Sequence, residues 1–551
     1  HLLACAKHFT GHGQPEGGTN MAPADFSERV IREMHCYPFE VAVKEANART
    51  VMASYNEIDG VPNHINRWLL TDVLRGEWGF DGYVISDYDG VSRMIDRQHV
   101  CKDTREAARR ALTAGLDFEL PSIKANDCFQ QLPSLIESGQ IKESVLDLAV
   151  TRVLRNKFQL GLFETPYTPG VKQAVQVMNS ATHRALAREA AEKGMVLLKN
   201  ERHTLPFSRD DVKNVAVIGP NADEPHYGSY SATTQGVSIL DGLREFGKNA
   251  FEVHYAEGFK IYENDNSIPE EEKTRAAEDR RIEEAVAAAR KSDVVLLVMG
   301  ENEKTCREAF GKGHWGDRSE LTLLGRQDDL ARSVLALNKP TAVLFINGRP
   351  LAATELAASA PAIFEGWYLG QEQGAAVANV LFGKVNPSGK LTVTFPRSVG
   401  HLPVYYNHKP LVHEHEYIGE TYSPLYPFGH GLSYTVFKYE TLAVSPATAE
   451  VGQPLNVTVN VSNTGKVAGD EIVQLYIRDM VGSVSRPVKE LKDFKRVPLA
   501  PGESKTVSFT ITPEKLQFYD IDMNRTVEPG AFQVMVCTSS ADTLTQTFEI
   551  R

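Results

Sequence analysis

Strand-like and helix-like patterns alternate without interruption through the first 160 residues, and that alternation limits the chain to very few topologies. The strand candidates are "LLACAKHF" (2–9), "TVMASYNEI" (50–58), "GYVISD" (82–87) and "GLDFEL" (115–120). Between them, "SERVIREMHCYPFEVAVKEA" (27–46), "NRWLLTDVLRGEWG" (66–79) and "DTREAARRALTAG" (103–115) carry apolar residues at helical spacing, and further helix fills 140–160. Such βα units predict parallel strands joined by helical crossovers. Four units are half of what a (β/α)8 barrel of about 250 residues requires. An open parallel sheet is the alternative.

Two further regions follow. After the Pro- and Gly-punctuated "GLFETPYTPG" (161–170), a helix is predicted over "THRALAREAAEKGMVLLKN", opening a second α/β region. Its strands read "VAVIGP" (215–220), "DVVLLVMG" (293–300), "TAVLFING" (341–348) and "PAIFEGWY" (361–368), and it ends near "NPSGKLTVTFP" (386–396). From about residue 440 the period changes to two, in "LNVTVNVSN", "EIVQLYIRD", "TVSFTIT" and "AFQVMVC". Short alternating strands with turn signals predict a β-sandwich of the immunoglobulin or fibronectin III kind. The expected boundaries are a partial barrel over 1–165, a linker over 166–180, an α/β sandwich over 181–397, a connector over 398–438 and a β-sandwich over 439–551.

At 551 residues the chain is too long for one ordinary domain. With 42% hydrophobic and 24% charged residues it reads as globular, and it contains no apolar run long enough to span a bilayer. A net charge of −12 argues against nucleic acid or an anionic membrane as a partner and leaves a small neutral ligand as the easier one. Six scattered cysteines without CxxC pairs indicate neither a zinc ribbon nor a disulfide framework. The chain begins inside an apolar run, so the natural protein is expected to be longer at its N-terminus, and its compartment stays open.

The third strand holds the first chemical question. "GFDGYVISDYDG" is an apolar strand that delivers Asp87 and Asp89 at its C-terminal end, where α/β proteins place their chemistry. One of the two could equally cap the helix that follows. A second acidic group follows the strand "DVVLLVMG": the loop "ENEKTCREAFGKGHWGDRSEL" (301–321) holds Glu301, Glu303, Glu308, Asp317 and Glu320. It could also be a merely solvated acidic loop. Two carboxylates at a sugar-sized cleft suit glycoside hydrolysis, in which one attacks the anomeric carbon and the other protonates the leaving oxygen. That chemistry requires no metal and no cofactor. His8 and His12 form an H-x3-H pair, but the glycines around them break any helix that would align the two for a metal. "HEHE" (413–416) lies on a connector, and "VIGPNAD" lacks the glycine fingerprint of a dinucleotide site.

The series "AKHFTGHGQPEGGTNMAP", "VMASYNEIDGVPNHINRWLLTDVLRGEWGFDGYVISDYDGV", "GENEKTCREAF…WGDRSELTL", "NPSGKLTVTFP" and "PLYPFGHGLSYTVFKY" resembles family 3 glycoside hydrolases of the bacterial β-glucosidase type. The resemblance runs along essentially the whole chain. It implies the C-terminal half of a (β/α)8-type barrel, then an α/β sandwich, then a fibronectin III-like domain. By that resemblance Asp87, after Ser86, is the nucleophile, with Asp89 left to a supporting role. Tyr88 stands where the family often has Trp and offers a face for the sugar. Lys7 and His8 match the family's Lys-His pair that meets sugar hydroxyls, and Tyr55 is expected near the nucleophile. Glu308, upstream of the Asp317-Arg318 pair, is the expected acid/base, with Glu301 and Glu303 in reserve and His314 and Trp315 at the cleft mouth. The family's earlier strands supply an Asp and an Arg that grip the sugar, and neither can be located here.

The expected activity is therefore that of a retaining exo-acting β-glycosidase acting on terminal β-glucosyl residues, its two carboxyl groups about 5–5.5 Å apart when competent. A β-xylosidase is the near alternative. A β-N-acetylhexosaminidase and a carbohydrate-binding relic without turnover are the further rivals. The expected partner is a small oligosaccharide or β-glycoside, with the oligomeric state open between monomer and homodimer and a periplasmic or secreted location favoured by the substrate.

Overall fold

The structure, a computed structural model, describes every residue except His1, 123–126, 168–169, 229, 232–234, 262–268, 304, 307–317, 412–416 and 542–543. The chain divides into two compact units, His1–Ala174 and Val175–Arg551.

The first unit is built on four parallel strands, β1 (Cys5–Phe9), β2 (Thr50–Ala53), β3 (Tyr83–Tyr88) and β4 (Phe118–Leu120). Their order in the sheet is their order in the chain. A doubly wound open sheet reverses its order at a switch point; this sheet never reverses, as expected of a barrel segment. Helices cover one face. α1 (Tyr37–Lys44) starts after a π-helical stretch, Ile31–His35, so the helix predicted over 27–46 is broken. Pro38 stands at the start of α1, and a proline inside a continuous helix would clash with the preceding turn. The second helical run, Trp68–Glu77, is wound with π-type hydrogen bonds and buries Leu69, Leu70, Val73 and Leu74. α2 (Thr104–Ala114) is capped at both ends: the Asp103 side chain accepts from the Glu106 N–H at 2.8 Å, and Gly115 takes the left-handed conformation at φ 113°. α3 (Glu143–Gln159) completes the layer.

The two ends of this sheet differ. Just before β4, buried Asp117 accepts from Arg75 and, at 2.8 Å, from Arg152, and it also takes the Val84 N–H at 2.8 Å. This ion triad ties the helix over 68–77, β3 and α3 together. The opposite rim, where β1, β2 and β3 finish, carries the candidate site.

The second unit contains a six-stranded sheet with the order β5-β10-β9-β8-β6-β7, where β5 is Val196–Asn200, β6 Asn214–Ile218, β7 Glu252–Ala256, β8 Val294–Gly300, β9 Thr341–Ile346 and β10 Ala362–Glu365. All neighbours are parallel except β5, which joins β10 antiparallel. The helix predicted through residue 200 ends earlier: α4 covers Ala181–Gly194, and "VLLKN" forms the edge strand β5. Val196, Leu197 and Leu198 are all buried, and three consecutive buried residues suit a strand covered on both faces. β8 is buried along its whole length.

A β-sandwich follows, with β11 (Phe437–Ser445), β13 (Leu455–Asn463) and β16 (Ser504–Ile511) in one sheet. The other holds β12 (Thr448–Ala449), β18 (Leu544–Ile550), β17 (Gly530–Cys537), β14 (Gly469–Asp479) and β15 (Glu490–Leu499), in that order. Along β13, Leu455, Val457, Val459 and Val461 point into the core and the residues between them face outward, the period-two pattern seen in the sequence. Arg496 donates to Ser388 Oγ at 2.7 Å, and Lys390 lies 3.5 Å from buried Glu471, fastening sandwich to sheet domain. Among the described residues no helix is long and apolar enough to cross a membrane.

Candidate active site

Asp87 is the penultimate residue of β3, 6% exposed, and its carboxylate is incompletely satisfied. Oδ1 accepts the backbone N–H of Tyr88 at 2.8 Å. Oδ2 lies 3.3 Å from His8 Nε2, is buried, and accepts no hydrogen bond of good geometry among the described residues. The Asp87 N–H donates to His64 Nε2 at 3.2 Å. A buried carboxylate oxygen without a donor is a cost to folding that ordinary structural aspartates avoid.

The neighbours come from three strand ends. His8 is on β1, next to the exposed Lys7, and its ring is 4.8 Å from that of His12. Tyr55 follows β2 and donates its hydroxyl to the Tyr88 carbonyl at 2.7 Å. Burial, then the negative charge of Asp87, pushes the Tyr55 phenol far above its usual range, so it stays a proton donor. Arg93 stacks its guanidinium 4.9 Å over the Tyr55 ring. Tyr88 is 58% exposed, leaving its ring available at the rim. Asp89, at φ 59°, turns away: its Oδ1 accepts the Ser122 N–H, and the N–H donates to Leu120 at 3.0 Å. The structure thus brings His8, Tyr55 and Asp87 together and gives Asp89 to the backbone beyond β4.

His64 and Arg93 did not stand out in the sequence. His64 sits in a single 3-10 turn, Asn63–Ile65, held by buried polar residues: Asn63 and Asn56 both donate to the Thr10 carbonyl, at 2.9 and 3.2 Å, and Ser54 hydrogen-bonds to Asn56. The one usable signal was "GVPNHIN", a histidine among asparagines just after a strand end.

In the second unit, the loop after β8 is occupied at its start. Glu301 is fully buried; Arg349 Nε and Nη2 donate to it at 2.9 and 2.8 Å, and Arg318 at 2.6 Å. Burial pushes its carboxyl up, but the two guanidiniums outweigh burial and hold it below the usual carboxylate range. Glu303 is bound by His226 Nδ1 at 2.9 Å and by the Tyr227 and Gly228 N–H groups at 2.9 and 3.0 Å. Those partners overcome burial and bring it down to about 2. Both reserve glutamates are thus held as carboxylates by partners of their own. Glu308, His314, Trp315, Asp317 and the "HEHE" run lie outside the described residues.

The unsatisfied strand-end carboxylate and the domain series gain their meaning from known proteins. Residues 1–156 match the glycosyl hydrolase family 3 N-terminal domain, 195–434 the family 3 C-terminal domain, and 471–540 a fibronectin type III-like domain. A β-xylosidase of Formosa agariphila is 40% identical over 98% of this chain and 74% of its own length. The chain belongs to glycosyl hydrolase family 3. It is a glycoside hydrolase, similar also to a periplasmic β-glucosidase of Salmonella typhimurium, at 38% identity over 100% of this chain and 74% of that protein. A solved β-glucosidase from Erythrobacter marinus superimposes with a TM-score of 0.95 at 41% identity, covering 100% of this family 3 chain and 74% of the other. A Listeria innocua β-glucosidase solved in complex with glucose gives 0.89 at 35%, with coverage of 100% and 74%.

Proposed function

We propose that this enzyme is a retaining exo-acting β-glycosidase that releases terminal non-reducing β-D-glucosyl residues, with Asp87 as nucleophile and Glu308 as acid/base. The observation that carries the reading is the buried Oδ2 of Asp87 beside His8, which accepts no hydrogen bond of good geometry among the described residues. Oδ2 attacks the anomeric carbon and forms the glycosyl ester while the leaving oxygen takes the proton of Glu308. Water then attacks the same carbon, Glu308 takes its proton, and Asp87 leaves as carboxylate. Lys7 and His8 supply donors for sugar hydroxyls, Tyr55 stands beside the nucleophile with its hydroxyl on the Tyr88 carbonyl, and the exposed Tyr88 ring supplies an apolar face. The engagement of Glu301 and Glu303 elsewhere supports Glu308 as the acid among the loop's glutamates.

Relatives named β-glucosidase support a glucoside, and the one named periplasmic supports a location outside the cytoplasm. β-Xyloside is the second reading, favoured by the Formosa relative. Proton NMR of the first-formed sugar tests mechanism: retention releases the β-anomer first, and α-anomer first would overturn it. Comparison of kcat/KM for 4-nitrophenyl β-glucoside and β-xyloside tests the substrate; a tenfold preference for the xyloside would replace the glucoside reading.

A further inference from the structure

His64 is wholly buried, and its ring fits against the turn that follows the nucleophile strand. A Cβ placed on Gly90 would fall 2.1 Å from His64 Nε2 and 2.4 Å from Cε1, so the imidazole occupies the space that any other residue at 90 would fill. The turn itself is closed by the Gly90 N–H donating to the Asp87 carbonyl at 3.0 Å. Nε2 accepts the Asp87 N–H, so that nitrogen carries no proton and the neutral ring holds its proton on Nδ1. Nδ1 is also buried and has no hydrogen-bond partner among the described residues. A leucine of similar bulk would remove that cost and leave instead the buried Asp87 N–H without its acceptor, one unpaired donor exchanged for another. What the histidine provides in return is one acceptor, aimed at the backbone of Asp87.

We infer that His64 is a positioning residue: its unprotonated Nε2 fixes the peptide at Asp87, and thereby the direction in which Oδ2 points at the anomeric carbon. This rests on the reading of Asp87 as nucleophile. The acceptor role exists only while the ring is neutral. Burial pushes His64 down to about 4, with Asp87 opposing and Arg93 adding to the shift. The titratable groups around it are Asp87 at the end of β3, Arg93 on the following helical turn, Tyr55 after β2 with its ring centroid 6.3 Å away, and His8 across Asp87 on β1. Once protonated, Nε2–H would oppose the Asp87 N–H, two donors face to face, and the hold on the turn would be lost.

The test is the rate at which a 2-deoxy-2-fluoro-β-glucosyl fluoride labels Asp87 in the wild type, His64→Leu and His64→Gln, with thermal midpoints measured alongside. His64→Leu is expected to slow labelling about 100-fold, the scale of a misplacement of about 1 Å, without a lower midpoint. His64→Gln restores an acceptor and is expected to recover at least tenfold of that loss; its labelling rate should also lack the wild-type fall near pH 4. Labelling of His64→Leu at the wild-type rate, or a loss that simply follows a lowered midpoint, would overturn the role of His64 alone. Wild-type label on a residue other than Asp87 would overturn the nucleophile assignment beneath it.

Discussion

Two buried acidic residues sit at the carboxyl ends of central parallel strands, one in each unit, and their surroundings are opposite. Glu301, directly after β8, is enclosed by Arg318 and Arg349, and every charge it brings inside is matched. Asp87, near the end of β3, has one backbone N–H on one oxygen, while the other, 3.3 Å from His8, accepts no hydrogen bond of good geometry among the described residues. The sequence context is alike in both cases: an apolar strand, then acid. Position at a strand end therefore does not separate chemistry from architecture. Saturation does, because a carboxylate whose lone pairs are all taken can neither attack nor release a proton readily.

Substitution should divide the pair in kind as well as size. Asp87→Asn is expected to lower kcat about 10⁴-fold or more, with the unfolding free energy changed by no more than about 1 kcal/mol, since a charge without a full complement of donors is removed. Glu301→Gln is expected to do the reverse: chemical denaturation should show a loss of about 3–5 kcal/mol, because two buried guanidiniums lose their counter-charge. An Asp87→Asn protein that unfolds while Glu301→Gln is merely slow would break the contrast.

Acid should sharpen it. His64 has a folded value of about 4 against about 6.5 unfolded, so between those values the unfolded chain binds the extra proton. Stability from this group is complete above about pH 6.5 and falls by about 3 kcal/mol as pH drops to 4. Glu365, wholly buried at the end of β10 with Trp367 N–H and Asn347 on its oxygens, is shifted the other way by burial, up to about 8. The native state binds its proton more tightly, so its contribution is present below the unfolded value and is lost as pH rises through 8. Denaturation followed separately in the two units should show opposite slopes, removed by His64→Leu in the first and by Glu365→Gln in the second. The smallest effect is expected at Asp89→Asn: asparagine tolerates φ 59° and its Oδ1 can still accept the Ser122 N–H. Activity should stay within about threefold and stability within about 0.5 kcal/mol.

The strands carrying chemistry were legible as short apolar runs between turn signals, fully buried in "DVVLLVMG" and half-buried on one face in "GYVISD", and the sandwich strands were legible because they alternate. "VLLKN" was not, since it continues an amphipathic helix whose end is marked only by Gly194. Asp87 could be picked out from its strand end and the family motif, but not distinguished in kind from Glu301, because partners 17 and 48 residues away decide the latter's fate. His64 escaped for a similar reason. Its value comes from a contact with β3 across 23 residues, through a turn with no periodicity to betray it.

The most direct test of the central claim is the mass of peptides from the protein after reaction with a 2-deoxy-2-fluoro-β-glucosyl donor, which slows hydrolysis of the covalent intermediate. The expected result is a single fluoroglucosyl adduct on the peptide spanning residues 80–91, with fragmentation placing it on Asp87 and not on Asp89. An adduct on Asp89, on a glutamate of the loop after β8, or on no residue while substrate is still turned over would contradict the account.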